Sequence, residues 1–191
     1  MITIVPCDAS WPEAFVEVAR PLRIVLGQLA LRIDHIGSTA VPGLAAKDRI
    51  DVQVTIQHFD CTQQVVTALG LLGYTHFKEY TSDHRPPLAQ GPDTDWEKLF
   101  FRPPATQRPT NLHVRALGRP NQRYPLLFRD YLRTHPAASA AYAQVKLNLA
   151  RLQPDDEDFY YDIKDPVCDV IIQAAEEWAR LTNWQMGPSD M

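Results

Sequence analysis

The sequence is poor in several features that would place a protein in a special class. Cys7, Cys61 and Cys168 are its three cysteines, they lie far apart and no C-x-x-C pair occurs, which argues against a disulfide framework or a thiolate zinc site. The longest nearly apolar run, 65–74, is about half as long as a membrane span requires. No basic segment leads from Met1 into an apolar one, so we expect a cytoplasmic protein that does not enter the membrane.

Positive charge is not in excess either. Nineteen Lys and Arg residues stand against 23 Asp and Glu residues, which gives a formal net charge of −4. This balance excludes a global positive field that would hold duplex DNA or anionic lipid, so any phosphate-binding site must be local. Hydrophobic residues make up 45% of the 191 residues, a composition and length typical of one compact globular unit.

Hydrophobic periodicity divides the chain into a mixed first part and a helical second part. The predicted elements of the first part are helices at 12–28 and 62–72, strands at 31–36, 50–56, 96–102 and 112–116, and an extended segment at 74–80. After Gly118 the pattern is helical, and Pro136 and Pro154 separate the helices. Asp165 and Pro166 are either an N-cap with proline at the first helical position or a kink within one longer helix.

These elements predict an α+β fold within one unit. Residues 1–118 are expected to form a small mixed β-sheet with flanking helices, and residues 119–182 a C-terminal helical bundle. Residues 183–191 have no periodic pattern and are predicted to be a loose tail.

The segment from His35 to Lys47, HIGSTAVPGLAAK, stands directly before the strand predicted at 50–56. A Gly-Ser turn that leaves a strand brings backbone N–H groups and a hydroxyl together, an arrangement that suits phosphate oxygens. In the strand, Asp51 and Gln53 must share the polar face, because the alternating Ile and Val residues occupy the other face. Lys47 either reaches back to the phosphate as a point charge or is a solvated helix residue.

A Gly-Ser turn followed by a strand with Asp on its polar face is similar to the layout of the nucleotidyltransferase superfamily. That resemblance implies that Gly37 and Ser38 hold phosphates and that Asp51 binds Mg²⁺. The superfamily has Asp-x-Asp, whereas the second position here is Gln53, whose amide oxygen brings no charge. A two-metal site needs several carboxylates, so only half of the metal pattern is present.

Residues 35–51 resemble the GrpB family more closely, whose motif is HIGST(A/S)VPGLxxKxxID. The later segments NLHV at 111–114, FRDYLR at 128–133, Tyr142 with Lys146, and Tyr161 with Lys164 are also similar to motifs of that family. The resemblance implies a nucleotidyltransferase-like fold with C-terminal helices, and it adds ligand contacts at Arg129, Lys146 and Lys164. It implies no established reaction. Asn111 departs from the family, which often has His there.

Cationic side chains also alternate along two predicted strands. Lys98 and Arg102 share one face of the first strand, and His113 and Arg115 share the polar face of the second. Two such strands side by side would form an anion site, although a charged outer face of a sheet gives the same pattern. With the resemblance included, the candidate phosphate- or nucleotide-binding residues are His35, Gly37, Ser38, Thr39, Lys47, Lys98, Arg102, Arg129, Lys146 and Lys164, and the candidate catalytic residues are Asp51 and His113.

Three functions follow from these patterns. The first is a protein that binds a nucleotide or another phosphorylated small molecule and transfers a nucleotidyl group with Mg²⁺. The second is a binding or regulatory module without catalysis, which the missing carboxylate favours. The third is a partner protein that uses its C-terminal helices to stabilise an enzyme of a nucleotide or coenzyme A pathway.

Overall fold

The computed structural model describes residues 1–87 and 89–191. Within these residues five strands and five α-helices follow one another along the chain. The elements are α1 Trp11–Leu26, β1 Arg32–Ile36, β2 Ile50–Ile56, α2 Thr62–Gly70, β3 Thr75–His76, β4 Leu99–Arg102, β5 Thr110–Ala116, α3 Pro120–Thr134, α4 Pro136–Leu152 and α5 Glu157–Thr182.

The strands form one mixed sheet in the order β1-β2-β5-β4-β3. The central pair, β2 and β5, is parallel and sets Asp51 beside Asn111 and Gln53 beside His113. The other pairs are antiparallel. This confirms the predicted α+β fold with a small mixed sheet.

The two faces of the sheet are covered by different helices. On one face, Ile50, Val52 and Val54 pack against buried side chains of α1 and α2 in the largest apolar cluster. On the other face lie the polar side chains of β2 and β5, where the Nε2 of Gln53 donates to the carbonyl of Gln122 in α3 at 2.9 Å. Because side chains alternate along a strand, one sheet can serve an apolar core and a polar site at once.

Several boundaries differ from the prediction. The predicted strand at 96–102 begins only at Leu99, because Asp93–Trp96 form a 3₁₀ turn, and the extended segment at 74–80 contains only the short strand Thr75–His76. Helix α5 continues through Pro166, so Asp165 and Pro166 lie within one longer helix and the N-cap alternative is wrong. Its N-cap is Asp156, whose side chain accepts from the backbone N–H of Phe159.

The predicted loose tail is hydrogen-bonded along the outer edge of β1. The Oγ of Ser189 accepts from the N–H of Ile33 at 2.9 Å, and the carboxylate of Asp190 accepts from the N–H of His35 at 2.9 Å. The tail therefore satisfies backbone groups that an edge strand would otherwise expose. Among the described residues, no helix combines the length and apolar character needed to cross a membrane.

Candidate functional site

A cleft of about 580 Å³ lies between the polar face of the sheet and helices α3, α4 and α5. Seven Lys and Arg side chains and four carboxylates line it, although the whole chain has a formal charge of −4. Positive charge is therefore concentrated in this one place. The charged lining residues are Lys47, Arg49, Lys98, Arg102, Arg115, Lys146, Lys164, Asp51, Asp83, Glu157 and Asp165.

The Gly-Ser turn and Asp51 meet at the end of β1. Gly37 has φ 71°, a left-handed conformation, and a Cβ atom at this position would collide with the carboxylate of Asp51. Only glycine both adopts this positive φ readily and leaves room for the carboxylate of Asp51. Burial raises the pKa of Asp51, and the hydrogen bond from Asn111 Nδ2 at 2.8 Å and the charge of Arg49 oppose that rise. Gly37, Ser38, Thr39 and Asp51 all line the cleft.

Lys146 of α4 reaches this turn from the helical side. Its side chain is only 2% exposed, and its Nζ donates to the Oγ of Ser38 at 2.8 Å and to the carbonyl of Ala45 at 2.5 Å. No carboxylate lies within ion-pair distance of it in the described part of the chain. Burial, together with the charge of Lys164, lowers the pKa of Lys146 to about 7, although Cys168 and Asp51 oppose the shift. A cation buried without a carboxylate partner is costly unless an anion completes its environment.

The other predicted cations differ in how far their charge is already compensated. Lys164 is paired with Asp165 at 2.5 Å. Lys47 lies 4.5 Å from the ring centroid of Tyr160, and the Arg102 guanidinium lies 5.4 Å from that of Phe100. Neither Lys47 nor Arg102 has a carboxylate partner among the described residues, so both retain charge for a ligand.

Asp83, which the sequence analysis missed, organises the opposite wall of the cleft. Its carboxylate accepts from Arg115 Nε at 2.7 Å, from Lys98 Nζ at 2.9 Å and from Asn121 Nδ2 at 3.0 Å. Burial alone would raise the pKa of Asp83, but Arg115 and Lys98 hold it well below its ordinary value. The charge of Lys98 is therefore largely neutralised by Asp83. A loop carboxylate has no periodic signal in the sequence, and the need of the buried Arg115 for an acidic partner becomes visible only in the fold.

His113 lies on the floor of the cleft beside this network. Its Nδ1 is 3.4 Å from Arg115 Nη2, and because a guanidinium can only donate, that nitrogen must be an acceptor. Burial lowers the pKa of His113 well below its ordinary value, and Arg115 and Lys98 add to the effect. The imidazole is thus neutral at physiological pH.

Two predicted binding residues lie outside the cleft lining. The alternation of β1 puts His35 opposite Val52 on the core face, where its ring stacks on Phe15 at 4.7 Å. Its Nε2 shares a hydrogen bond with the Oγ1 of Thr39 at 3.0 Å. Arg129 is occupied by the carbonyl of His35 at 2.9 Å and by Asp190 at 2.7 Å. Both side chains are held by structural partners and do not line the cleft.

The donor set does not fit the Mg²⁺ ion expected from the sequence. The Oε1 of Gln53 accepts from Arg115 at 2.7 Å, and the carboxylate of Asp83 is occupied by cations. Within the part of the chain that the structure describes, Asp51 is left as a single carboxylate without a second one to share an ion. In the described ranges, no group of three or more His, Cys, Asp or Glu side chains is arranged to hold a metal.

Comparison with known proteins identifies relatives along most of the chain. The sequence model described as "GrpB protein" matches residues 1–174. A UPF0157 protein of Pseudomonas aeruginosa is 38% identical over 87% of this chain and 64% of its own length. A protein of Mycobacterium tuberculosis H37Rv named dephospho-CoA kinase is 36% identical over 95% of this chain and 48% of its own length. The chain thus spans about half the length of the first curated relatives it matches.

Solved structures show the same fold. The conserved protein GrpB from Enterococcus faecalis superimposes with a TM-score of 0.76 at 28% identity, covering 92% of this chain and 99% of that one. A cytoplasmic RNA terminal U-transferase superimposes with a TM-score of 0.52 at 14% identity, covering 80% of this chain and 44% of that one. At that identity the likeness shows the fold alone, which is nucleotidyltransferase-like.

Proposed function

The chain belongs to the GrpB family, and from the cleft described above we propose that it binds a nucleotide or another phosphorylated small molecule without a resident metal ion. One observation carries the proposal. Lys146 is buried without a carboxylate partner among the described residues and donates to Ser38 of the Gly-Ser turn, so an anion would complete the environment of its charge.

Binding in this site would use cations where a metal enzyme uses Mg²⁺. Ser38 and the backbone of the turn would donate to phosphate oxygens, and Lys146, Lys47 and Arg102 would supply charge. Asp51 would keep the turn in place through its contact with Gly37. Hydrogen bonds that involve a charged group contribute about 1.5 to 3 kcal/mol each, so losing one weakens binding about 10- to 100-fold.

A thermal-shift titration tests the proposal directly. Tripolyphosphate, the common nucleoside triphosphates and dephospho-CoA are added with and without Mg²⁺; dephospho-CoA is included because relatives are named dephospho-CoA kinase. A ligand at about 100 times its Kd should raise the Tm by roughly 5 to 10 °C. The rise should be the same or larger without Mg²⁺.

Two variants locate the binding site. Lys146→Gln and Ser38→Ala should each weaken binding at least about tenfold, whereas Lys78→Gln removes an exposed cation outside the cleft and should leave binding unchanged. If no phosphate raises the Tm, or if all three variants bind equally well, the proposal is wrong.

Nucleotidyl transfer is the second candidate, and the fold shared with the terminal U-transferase favours it. That reaction releases pyrophosphate and relies on metal ions to stabilise the transition state. Binding that requires Mg²⁺ and is lost in Asp51→Asn, together with pyrophosphate release from a nucleoside triphosphate, would favour the transferase over the metal-free module.

A further inference from the structure

We propose that the α3 end of the cleft holds a nucleobase, whose N–H edge donates to the Oδ1 of Asn121. This inference rests on the proposed function and deepens it, because it selects nucleotides from among phosphorylated molecules. It assigns base recognition to Asn121, Trp96 and Tyr124, which lie in the cleft apart from the Gly-Ser turn.

The orientation of the Asn121 amide is fixed by its partners. Its Nδ2 donates to Asp83 Oδ2 at 3.0 Å and to the backbone carbonyl of Glu97 at 2.8 Å. Because both partners can only accept, the nitrogen and oxygen of the amide cannot be exchanged. The Oδ1 is therefore an acceptor in a fixed position.

That acceptor has no hydrogen-bond partner among the described residues, although the Asn121 residue is only 1% exposed. A buried polar atom without a partner is rare in folded proteins and costs about 1 to 3 kcal/mol. The indole Nε1 of the neighbouring Trp96 is also buried without a partner. Both residues line the cleft, so a heterocycle that both donates and accepts could satisfy the two atoms.

Aromatic side chains connect this end of the cleft to the phosphate end. Lys146 lies 4.7 Å from the ring centroid of Tyr142, and Tyr142 packs edge-on against Phe128 at 5.7 Å. Phe128 stacks with Tyr124 at 6.1 Å, and Tyr124 contacts Trp96 edge-on at 6.4 Å. The five residues Lys146, Tyr142, Phe128, Tyr124 and Trp96 line one wall, which begins at a cation and ends beside Asn121. Such a wall suits a flat ring attached to a phosphate, because aromatic faces stack on nucleobases.

The test combines a change in the ligand with a change in the protein. The Kd values of ATP, GTP, CTP, UTP and tripolyphosphate are measured by calorimetry for the wild type, for Asn121→Ser and for Gln122→Ser. Gln122 is the matched control, since its side chain is an equally buried amide in the same turn of α3 but lies outside the cleft lining. The best nucleotide is also compared with an analogue of its base that lacks the N–H donor.

The wild type should bind at least one nucleotide about tenfold more tightly than tripolyphosphate and should bind the donor-lacking analogue about tenfold more weakly than its parent. Asn121→Ser should lose the preference for the parent base, whereas Gln122→Ser should keep it. Equal binding of tripolyphosphate and every nucleotide would overturn the inference and leave the proposed function intact. A preference for the parent base that survives in Asn121→Ser would also overturn it. Binding of none of the ligands would instead overturn the proposed function itself.

Discussion

At the scale of single residues, the proposal of anion binding depends most on Lys146. A charge in a buried position lowers stability unless it is paired, and among the described residues the hydrogen-bond partners of its Nζ are the neutral Ser38 Oγ and the Ala45 carbonyl. Its pKa of about 7 lies far below the ordinary value. The unfolded chain therefore binds more protons between pH 7 and about 10, and stability rises with pH in that window.

Replacing Lys146 by Met should therefore stabilise the ligand-free protein. The gain should be on the order of 1 to 3 kcal/mol at about pH 6, where the folded lysine is mostly charged, and should shrink towards pH 10, because the folded lysine is already neutral there and the unfolded lysine is losing its proton. Thermal unfolding of the two proteins from pH 6 to 10 measures the difference.

Lys164→Met is the matched control with the opposite sign. Burial alone would lower the pKa of Lys164, but Cys168 and Asp165 raise it above the ordinary value, so its charged form stabilises the fold below pH 10. Its removal leaves Asp165 without its cation and should destabilise the protein at pH 7. A destabilised Lys146→Met would mean that Lys146 serves the fold and not a ligand.

Gly37 and Gly43 provide a second pair at the residue scale. Both have positive φ, but a Cβ would collide with Asp51 only at Gly37 and would meet open space at Gly43. Gly43→Ala should cost only the backbone strain of about 1 to 2 kcal/mol, whereas Gly37→Ala should cost more and displace Asp51. Chemical denaturation of both variants measures the two costs, and equal losses would contradict the close contact.

The sequence predicts the residues of the site unevenly, for physical reasons. The contact between Gly37 and Asp51 follows from a turn placed beside the polar face of a strand, and this local pattern is visible in the sequence. The core-facing position of His35 does not follow from the sequence, because it depends on the register of His35 with Val52 in the folded sheet. Asp83 comes from an aperiodic loop and is brought to Arg115 by tertiary packing alone, so no spacing rule could find it.

At the scale of elements, the connection between β3 and β4 is anchored by Asp83. The N–H of Asp83 donates to the carbonyl of Trp96 at 2.8 Å, and its carboxylate holds Arg115, Lys98 and Asn121. Removing a carboxylate from a buried network leaves its cations uncompensated, which typically costs about 3 to 5 kcal/mol.

Asp83→Asn should therefore destabilise the protein by about that amount and increase hydrogen exchange in the connection. Because the pKa of Asp83 is held well below its ordinary value, its stabilisation is fully present above about pH 4, so the loss should be constant from pH 5 to 8. The control is Asp93→Asn in the same connection, whose side chain is 94% exposed and paired with Arg85; the cost there should be under about 1 kcal/mol. Similar costs in both variants would contradict the anchoring role.

Elements with strong periodicity are predicted well, and those with weak periodicity are not. The strand predicted at 50–56 is observed with the same limits, since its alternation is strict. Strand β4 is shorter than predicted because Asp93–Trp96 form a 3₁₀ turn. The sequence does not predict the position of the tail, because the tail has no periodic pattern of its own. Its hydrogen bonds to Ile33 join residues more than 150 positions apart in sequence.

At the scale of the whole molecule, the cleft joins two parts that are hydrophobically distinct. The sheet with α1 and α2 contains one buried cluster, and the C-terminal helices contribute smaller ones. The cations of the cleft come from both parts, with Lys47 and Arg102 from the first and Lys146 and Lys164 from the second. A bound anion would therefore hold the two parts together and stabilise the whole fold by linkage.

The pH dependence of anion binding tests this arrangement in the intact protein. Burial lowers the pKa of Lys146 to about 7, and an anion beside the Nζ would favour its charged form, so binding of tripolyphosphate is coupled to proton uptake above pH 7. The affinity of the wild type should fall relative to that of Lys146→Gln as the pH rises from 7 to 9, by up to about tenfold per pH unit. His113 and His35 have lowered pKa values and stay neutral in this range, so they add no proton uptake of their own. Comparing the two proteins cancels the ionisation of tripolyphosphate itself, and parallel affinity profiles in calorimetry would mean that Lys146 does not contact the anion.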